Sequence, residues 1–400
     1  MEHKEVGLVR SAEDIVESLA PDVPVIVSRP QNAARAAKWF RENFPGTALY
    51  AVKANNDPKV TEMLYQNGVR NFDVASLAEI ETCSRLGKSR MYFMNPVKSR
   101  KVVGAAYHDF GVKDFSFDTE QELYKIIKET SNSGGLNLFV RLAVPNTDSA
   151  IPLDGKYGAH PGEAIRLLRL ARRASAQLGI CFHVGSQNSD PDSYRNALRA
   201  AWEVYNQAGV EIEVVDVGGG FPAAHPGTPT TMIQSQIDGI VAAVAELPGF
   251  SECALICEPG RALVAESESL IVKVNGRRGN SLYINDGTYG CLFEGAKIYG
   301  SLPYPVRRLN RKTNASVENF VFWGVSCDSI DYVPGPFALP ADMDEGDYIE
   351  IGLTGAYGRV SASGFNGYGD YYLAEATDDP FPTMYAQPRE LSSTMAAIRA

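Results

Sequence analysis

An alternation of element types over residues 45–265 constrains this chain more than any other feature. Short β-branched or aromatic runs occur at "TALYAVKAN", "NFDVAS", "RMYFMN", "DFSFDT", "LNLFVRLA", "GICFHVGS", "EIEVVDVGGG" and "ALICEPGRAL". Helical patterns lie between most of them, among them "DPKVTEMLYQNG", "SLAEIETCSRLG" and "PGEAIRLLRLARRASAQLG". The first opens on Asp57 and Pro58, a capping residue and a helix-start proline, and several close on a glycine. In the third, Ile165, Leu168, Leu170 and Ala171 supply the apolar stripe and leave arginines on the outer face. Eight strands alternating with helices fit a (β/α)8 TIM-type barrel, with a doubly wound open sheet as the competitor. Eight is the number that closes a barrel, which favours closure.

After residue 265 the texture changes. "SLIVKVNGRRGNSLYINDG", "ENFVFWGVSCDSIDYV" and "GDYIEIGLTGAYGRVSASGFNGY" read as β-runs punctuated by glycine and asparagine, with no strong amphipathic helix before the C-terminus. This texture predicts an all-β barrel or sandwich domain. The expected division is a barrel over 29–265 and a β-domain over 266–400, completed by residues 1–28 with their run "PVIVSRP".

Bulk properties remove several function classes. A net charge of -10 argues against nucleic acid or an anionic membrane as partner. The N-terminus carries acidic residues where a signal peptide needs an apolar core, and no apolar run reaches membrane-spanning length. Six cysteines without a CxxC pair and five scattered histidines give neither a disulfide framework nor a metal site. A cytoplasmic protein with reduced thiols is the expectation.

In a (β/α)8 barrel, chemistry gathers where strands end, at the C-terminal mouth. Lys53 stands at the end of the first run, Asp73 in the second, Arg141 late in the fifth and His183 late in the sixth. Gly218, Gly219 and Gly220 follow the seventh, and Glu258 ends the eighth with Arg261 just beyond. Singly, each has an ordinary reading: a snorkelling lysine, a core histidine, a Glu258–Arg261 ion pair, a tight turn. Together they match the needs of pyridoxal 5'-phosphate. Lys53 offers an amine to the aldehyde, the glycines offer backbone N–H groups to the phosphate, and Arg261 offers charge. Glu258 can keep a proton on the pyridine nitrogen, and the His183 imidazole can stack on the ring. A nucleotide site is a poorer fit, because "DVGGGFP" lacks both the GxGxxG spacing and the Walker lysine.

In order and approximate spacing, "YAVKAN", "FHVGSQ", "DVGGGFP", "CEPGR", "NDGTYG", "GVSCDSID" and "GAYG" resemble the fold-type III pyridoxal phosphate decarboxylases. These comprise the ornithine, lysine, arginine and diaminopimelate decarboxylases, kin to alanine racemase. The resemblance runs from about residue 25 to 375 and implies head-to-tail homodimers with shared active sites. By it, Lys53 is the Schiff-base lysine and His183 the stacking histidine. Ser186, Gly218 to Gly220, Gly260 and Arg261 hold the phosphate end, and Glu258 faces the ring nitrogen. Asp73, Glu79 and Arg141 line the cofactor or hold the lysine, and Tyr357 is a further cofactor contact. Cys327 resembles the thiol that the partner subunit inserts to protonate the substrate's Cα, and Asp328 the partner carboxylate that receives the distal amine. Tyr289, Glu294 and Phe365 complete the expected substrate pocket, and Lys156 and Asp331 an intersubunit salt bridge.

The resemblance implies decarboxylation of a basic L-amino acid: L-ornithine to putrescine, with L-lysine to cadaverine beside it, as in polyamine biosynthesis. Diaminopimelate needs an arginine for its second carboxylate, whereas Asp328 and Glu294 make the pocket acidic. One departure bears on the distal end. Eukaryotic ornithine decarboxylases carry a Tyr-Asp pair where this chain has Ile298, Tyr299 and Gly300. A non-catalytic regulatory homologue would be expected to lose Lys53, Cys327 or the phosphate ligands, and all are present.

Overall fold

The computed structural model describes residues 3–131, 134–146 and 149–385. The C-terminal stretch that would complete the expected β-domain, from residue 386, lies outside the described residues. The chain divides into two units. One comprises residues 37–222 and 231–260 with Tyr385; the other comprises the chain up to residue 36, residues 223–230 and residues 261–384.

The first unit is a closed eight-stranded parallel barrel, which excludes the open sheet. Its strands, in chain order, are Thr47–Ala51, Asn71–Val74, Arg90–Phe93, Asp114–Phe117, Leu136–Arg141, Ser175–Cys181, Val214–Asp216 and Ala254–Cys257. Closure joins the eighth strand to the first, with Ile256 opposite Thr47. Inside the barrel, Leu49, Tyr92, Met94, Phe139, Cys181, Val214 and Ile256 pack as one apolar cluster. The crossover helices start where their caps dictate. Asp57 accepts the Lys59 N–H at 2.7 Å ahead of Pro58–Gln66, and Ser76 accepts the Glu79 N–H at 3.3 Å ahead of Leu77–Ser84.

Two sequence readings are corrected here. The pattern "PGEAIRLLRLARRASAQLG" is helical only over Pro161–Ala171; Ser175 already begins the sixth strand. Pairing with the fifth strand, Gln177 opposite Asn137 and Leu178 opposite Leu138, overrides their helical preference. The helix buries Ala164, Leu167, Leu168 and Ala171, while Ile165 and Leu170 are only half-buried. The second correction concerns Lys53. The first strand stops at Ala51, and Lys53 sits in a 3-10 turn, Val52–Ala54.

The second unit is built on a nine-stranded mixed sheet. The N-terminal strands His3–Val9 and Val25–Ser28 flank Tyr371–Ala376 in parallel, and Val25–Ser28 also pairs antiparallel with Glu268–Arg278. Its core includes Leu270, Val272, Ile284 and Ile349, with Phe322 stacked on Phe337 at 3.8 Å. Among the described residues, no helix is long and apolar enough to cross a membrane.

Candidate active site

Parallel register brings the polar strand ends to one rim. Ala51 lies opposite Asp73, Arg141 opposite Cys181, Cys181 opposite Asp216, and Asp216 opposite Ile256. Lys53 projects from its turn as an exposed side chain between the buried Val52 and Ala54. The turn is tied to the eighth strand's exit by the Ala51 N–H, which donates to the Pro259 carbonyl at 3.2 Å. Gly260 permits that approach: a Cβ there would lie 3.0 Å from the Ala54 Cβ.

Burial tunes the charges on this rim. Asp73 is pushed up to about 7, first by desolvation and then by the neighbouring Glu258 charge. Glu79 is also pushed up to about 7 by desolvation, although its Oε2 accepts the Ala75 N–H at 2.7 Å. His183, just past the sixth strand, is held well below the usual histidine range by burial and then by the Arg141 and Lys53 charges. Its Nδ1 accepts the Gly185 N–H at 3.0 Å, which places the proton of the neutral ring on Nε2. Ser186 follows, opening the short strand Ser186–Asn188 that pairs with Ser149–Ile151.

The triple glycine is required by packing as well as by any ligand. Gly218 and Gly220 have φ of 67° and 112°, and a Cβ on Gly218 would lie 2.0 Å from the Phe182 carbonyl oxygen. A Cβ on Gly219 would lie 2.8 Å from the Glu258 carbonyl oxygen and 3.0 Å from His183 Nε2. The glycine turn, the imidazole and Glu258 therefore share one small space. Glu258 is 4% exposed, and its pKa is raised well above the usual range by burial and then by Asp216. Asp216 is the residue that sequence reasoning passed over, and the polar interruption of the apolar run "VVDV" was its signal.

These residues fit pyridoxal phosphate. An amine, a buried acid, a neutral flat ring and a backbone cradle that no Cβ can fill surround the mouth.

The second unit carries a separate cluster. The Tyr289 hydroxyl donates to Asp328 Oδ2 at 2.6 Å, and the Tyr289 ring stacks on Phe365 at 4.3 Å. The Ile330 N–H donates to Asp328 Oδ1 at 3.0 Å, and these two bonds hold the Asp328 carboxyl below its usual range. Cys327 is exposed, with Sγ 3.6 Å from Asn366 Oδ1, a neighbour the sequence reading did not include. Beside the cluster lies a cavity of about 340 Å³ lined in part by Asp22, Asp286, Asp331 and Asp370 and, among the described residues, by no lysine or arginine.

Three side chains expected at the site or between subunits, Glu294, Arg261 and Asp331, have partners within their own chain. Glu294, expected to meet a substrate cation, is buried and forms a two-pronged ion pair with Arg261, at 2.6 and 2.7 Å. The same pair, in place of Glu258–Arg261, neutralises the guanidinium charge expected for the phosphate. Arg261 also lies 5.1 Å from the centre of the Tyr357 ring, at a residue with φ of 56°. Asp331, expected to meet Lys156 of a partner subunit, is already anchored within its own chain. It is 2% exposed and spends its oxygens on the Thr288 and Ser326 N–H groups, at 2.7 and 3.0 Å.

Comparison with known proteins places this geometry. Residues 31–265 match the family model described as pyridoxal-dependent decarboxylase, pyridoxal binding domain. The chain is 32% identical over 378 residues to a lysine/ornithine decarboxylase of Selenomonas ruminantium, covering 91% of this chain and 92% of that protein. It is 30% identical over 366 residues to antizyme inhibitor 2 of Xenopus laevis, covering 85% of this chain and 76% of that protein. Among solved structures, the arginine decarboxylase of Paramecium bursaria Chlorella virus superposes with a TM-score of 0.81 at 27% identity, over 90% of this chain and 98% of that one.

Proposed function

The chain belongs to the pyridoxal-dependent decarboxylases, and from that premise we propose that it decarboxylates L-ornithine, and L-lysine beside it. We further propose that it works as a homodimer whose subunits exchange Cys327 and Asp328. Pyridoxal phosphate, when bound, supplies an aldehyde for amine capture and a protonated ring that withdraws electrons from the bond to the departing carboxylate. Everything else falls to the chain. Lys53 offers the amine, Glu258 holds the proton at the ring nitrogen, and the neutral His183 ring covers one face. Cys327 Sγ delivers a proton to Cα after carbon dioxide leaves, and Asp328 receives the distal ammonium.

The observation that carries the substrate reading is the acidic character of the second unit's cavity. Among the described residues, four aspartates and no basic side chain line it, next to an Asp328 carboxylate set among aromatic rings. Such a surface suits an alkylammonium chain and offers nothing to a second carboxylate. Carbon dioxide release from a panel of L-ornithine, L-lysine, L-arginine and meso-diaminopimelate tests it. Turnover is expected with L-ornithine or L-lysine; preferred turnover of diaminopimelate would sink the reading.

A regulatory role, suggested by the likeness to antizyme inhibitor 2, is the second reading. The presence of Lys53, Glu258 and Cys327 together favours catalysis.

A further inference from the structure

Two buried carboxyl oxygens, Asp216 Oδ2 and Glu258 Oε1, receive no hydrogen bond from any N–H or hydroxyl donor. The two side chains lie within reach of each other. Ionised carboxylates only accept, so one can bond the other only if it carries a proton. The backbone fixes the pair. Asp216 Oδ1 accepts the Gly218 N–H at 2.8 Å, and the Gly218 carbonyl accepts the Glu258 N–H, also at 2.8 Å. The strands that deliver them are adjacent and parallel, with Asp216 opposite Ile256, two residues before Glu258. With Asp216 at 0% and Glu258 at 4% exposure, bulk water cannot take the place of either partner.

We propose that Asp216 is a positioning residue for the ring-nitrogen acid: it grips Glu258 Oε1 through one shared proton and so presents Oε2 to the pyridine nitrogen. The inference rests on the assignment of Glu258 to that nitrogen. The charges balance without moving the shared proton. The pair holds one proton and one negative charge, and a nitrogen that takes its own proton from solvent adds one positive charge. Ionising both acids would leave two negative charges in a buried space, which burial and their mutual repulsion oppose. Asp73 and Arg141 on other barrel strands and Lys53 in the turn after the first are the charged groups acting on the pair, and their contributions run in opposite directions. Cys181, Cys257 and Tyr92, also near it, are pushed up and stay neutral.

Infrared difference spectra of the cofactor-free protein test the pair directly. Asp216→Asn and Glu258→Gln each replace an acid by an amide that can donate to the remaining carboxylate. Each is expected to lose one protonated-carboxyl band relative to the wild type. Loss in only one folded variant, or in neither, would overturn the shared proton. Cofactor titration supplies a second arm should an amide variant not fold. Asp216→Ala is expected to weaken pyridoxal phosphate binding about tenfold, with Asp216→Asn recovering most of it. Equal affinity in Asp216→Ala and the wild type would overturn the positioning role. Failure of the underlying assignment reads differently: Glu258→Ala would bind the cofactor as tightly as the wild type, whatever the infrared band shows.

Discussion

The barrel rim and the Cys327 cluster solve opposite problems. On the rim, Asp73, Glu79, His183 and Glu258 are all buried, and burial has moved each toward its neutral form. In the second unit, Asp328 moves the other way: two hydrogen bonds keep it ionised on a side chain that remains accessible. Desolvation governs the first site, donor bonds the second. A low-dielectric rim suits proton control at a cofactor, whereas a wet, anionic cluster suits capture of a cation.

The largest expected effect sharpens that division of labour. Lys53→Ala should lose the visible absorbance of the bound cofactor and at least about 10³-fold in kcat. Cys327→Ala should keep the absorbance and lose about 10²-fold, the usual range for a positioned proton donor. Mixing the two inactive dimers should restore partial activity; no recovery in demonstrably mixed dimers would break the proposal of shared sites. Next comes the second unit's own buried charge. Glu294→Gln removes the carboxylate charge that answers the buried Arg261 guanidinium, so denaturant titration should show a loss of about 3–5 kcal/mol. A loss below about 1 kcal/mol would mean that the pair is not the buried clamp described.

The smallest effect is a pH slope in the cofactor-free protein. Asp73 and Glu79 titrate near 3.8 and 4.5 when unperturbed but are pushed up to about 7 in the fold. Between those values the unfolded chain has released protons that the native chain still holds. Their contribution to stability is therefore greatest below the unfolded values, falls as pH rises to about 7, and is level above it. The slope is at most about 1.4 kcal/mol per pH unit for each group. Thermal melts at about pH 5 and pH 8 should differ less in Asp73→Asn than in the wild type.

Much of this was legible in the sequence because its signals are local. Seven of the eight barrel strands fall inside the β-branched or aromatic runs, the sixth starting four residues ahead of its run, and Asp57 caps a helix where its type predicts. Once closure is granted, Lys53, His183 and Glu258 reach one mouth by their positions at strand ends. What could not be read depends on partners distant in sequence. Glu294 was assigned to the substrate because an acidic loop residue gives no sign of an arginine folding back from 33 positions away. Asp216 was overlooked because its partner lies on the next strand, and only register shows that they meet. The helix overrun at Ala171 has the same origin, since strand pairing outweighed local propensity.

The hydrogen bond from Gly185 to His183 has a consequence for the pH behaviour of the whole rim. With Nδ1 occupied by a backbone donor, the ring cannot accept a second proton there without losing that bond, and burial opposes the cation in any case. His183 thus acts as an aromatic plate of fixed orientation, silent to titration across the neutral range. The one residue type that ordinarily senses physiological pH has been taken out of that role, and the sensing passes to the carboxyls Asp73 and Glu79.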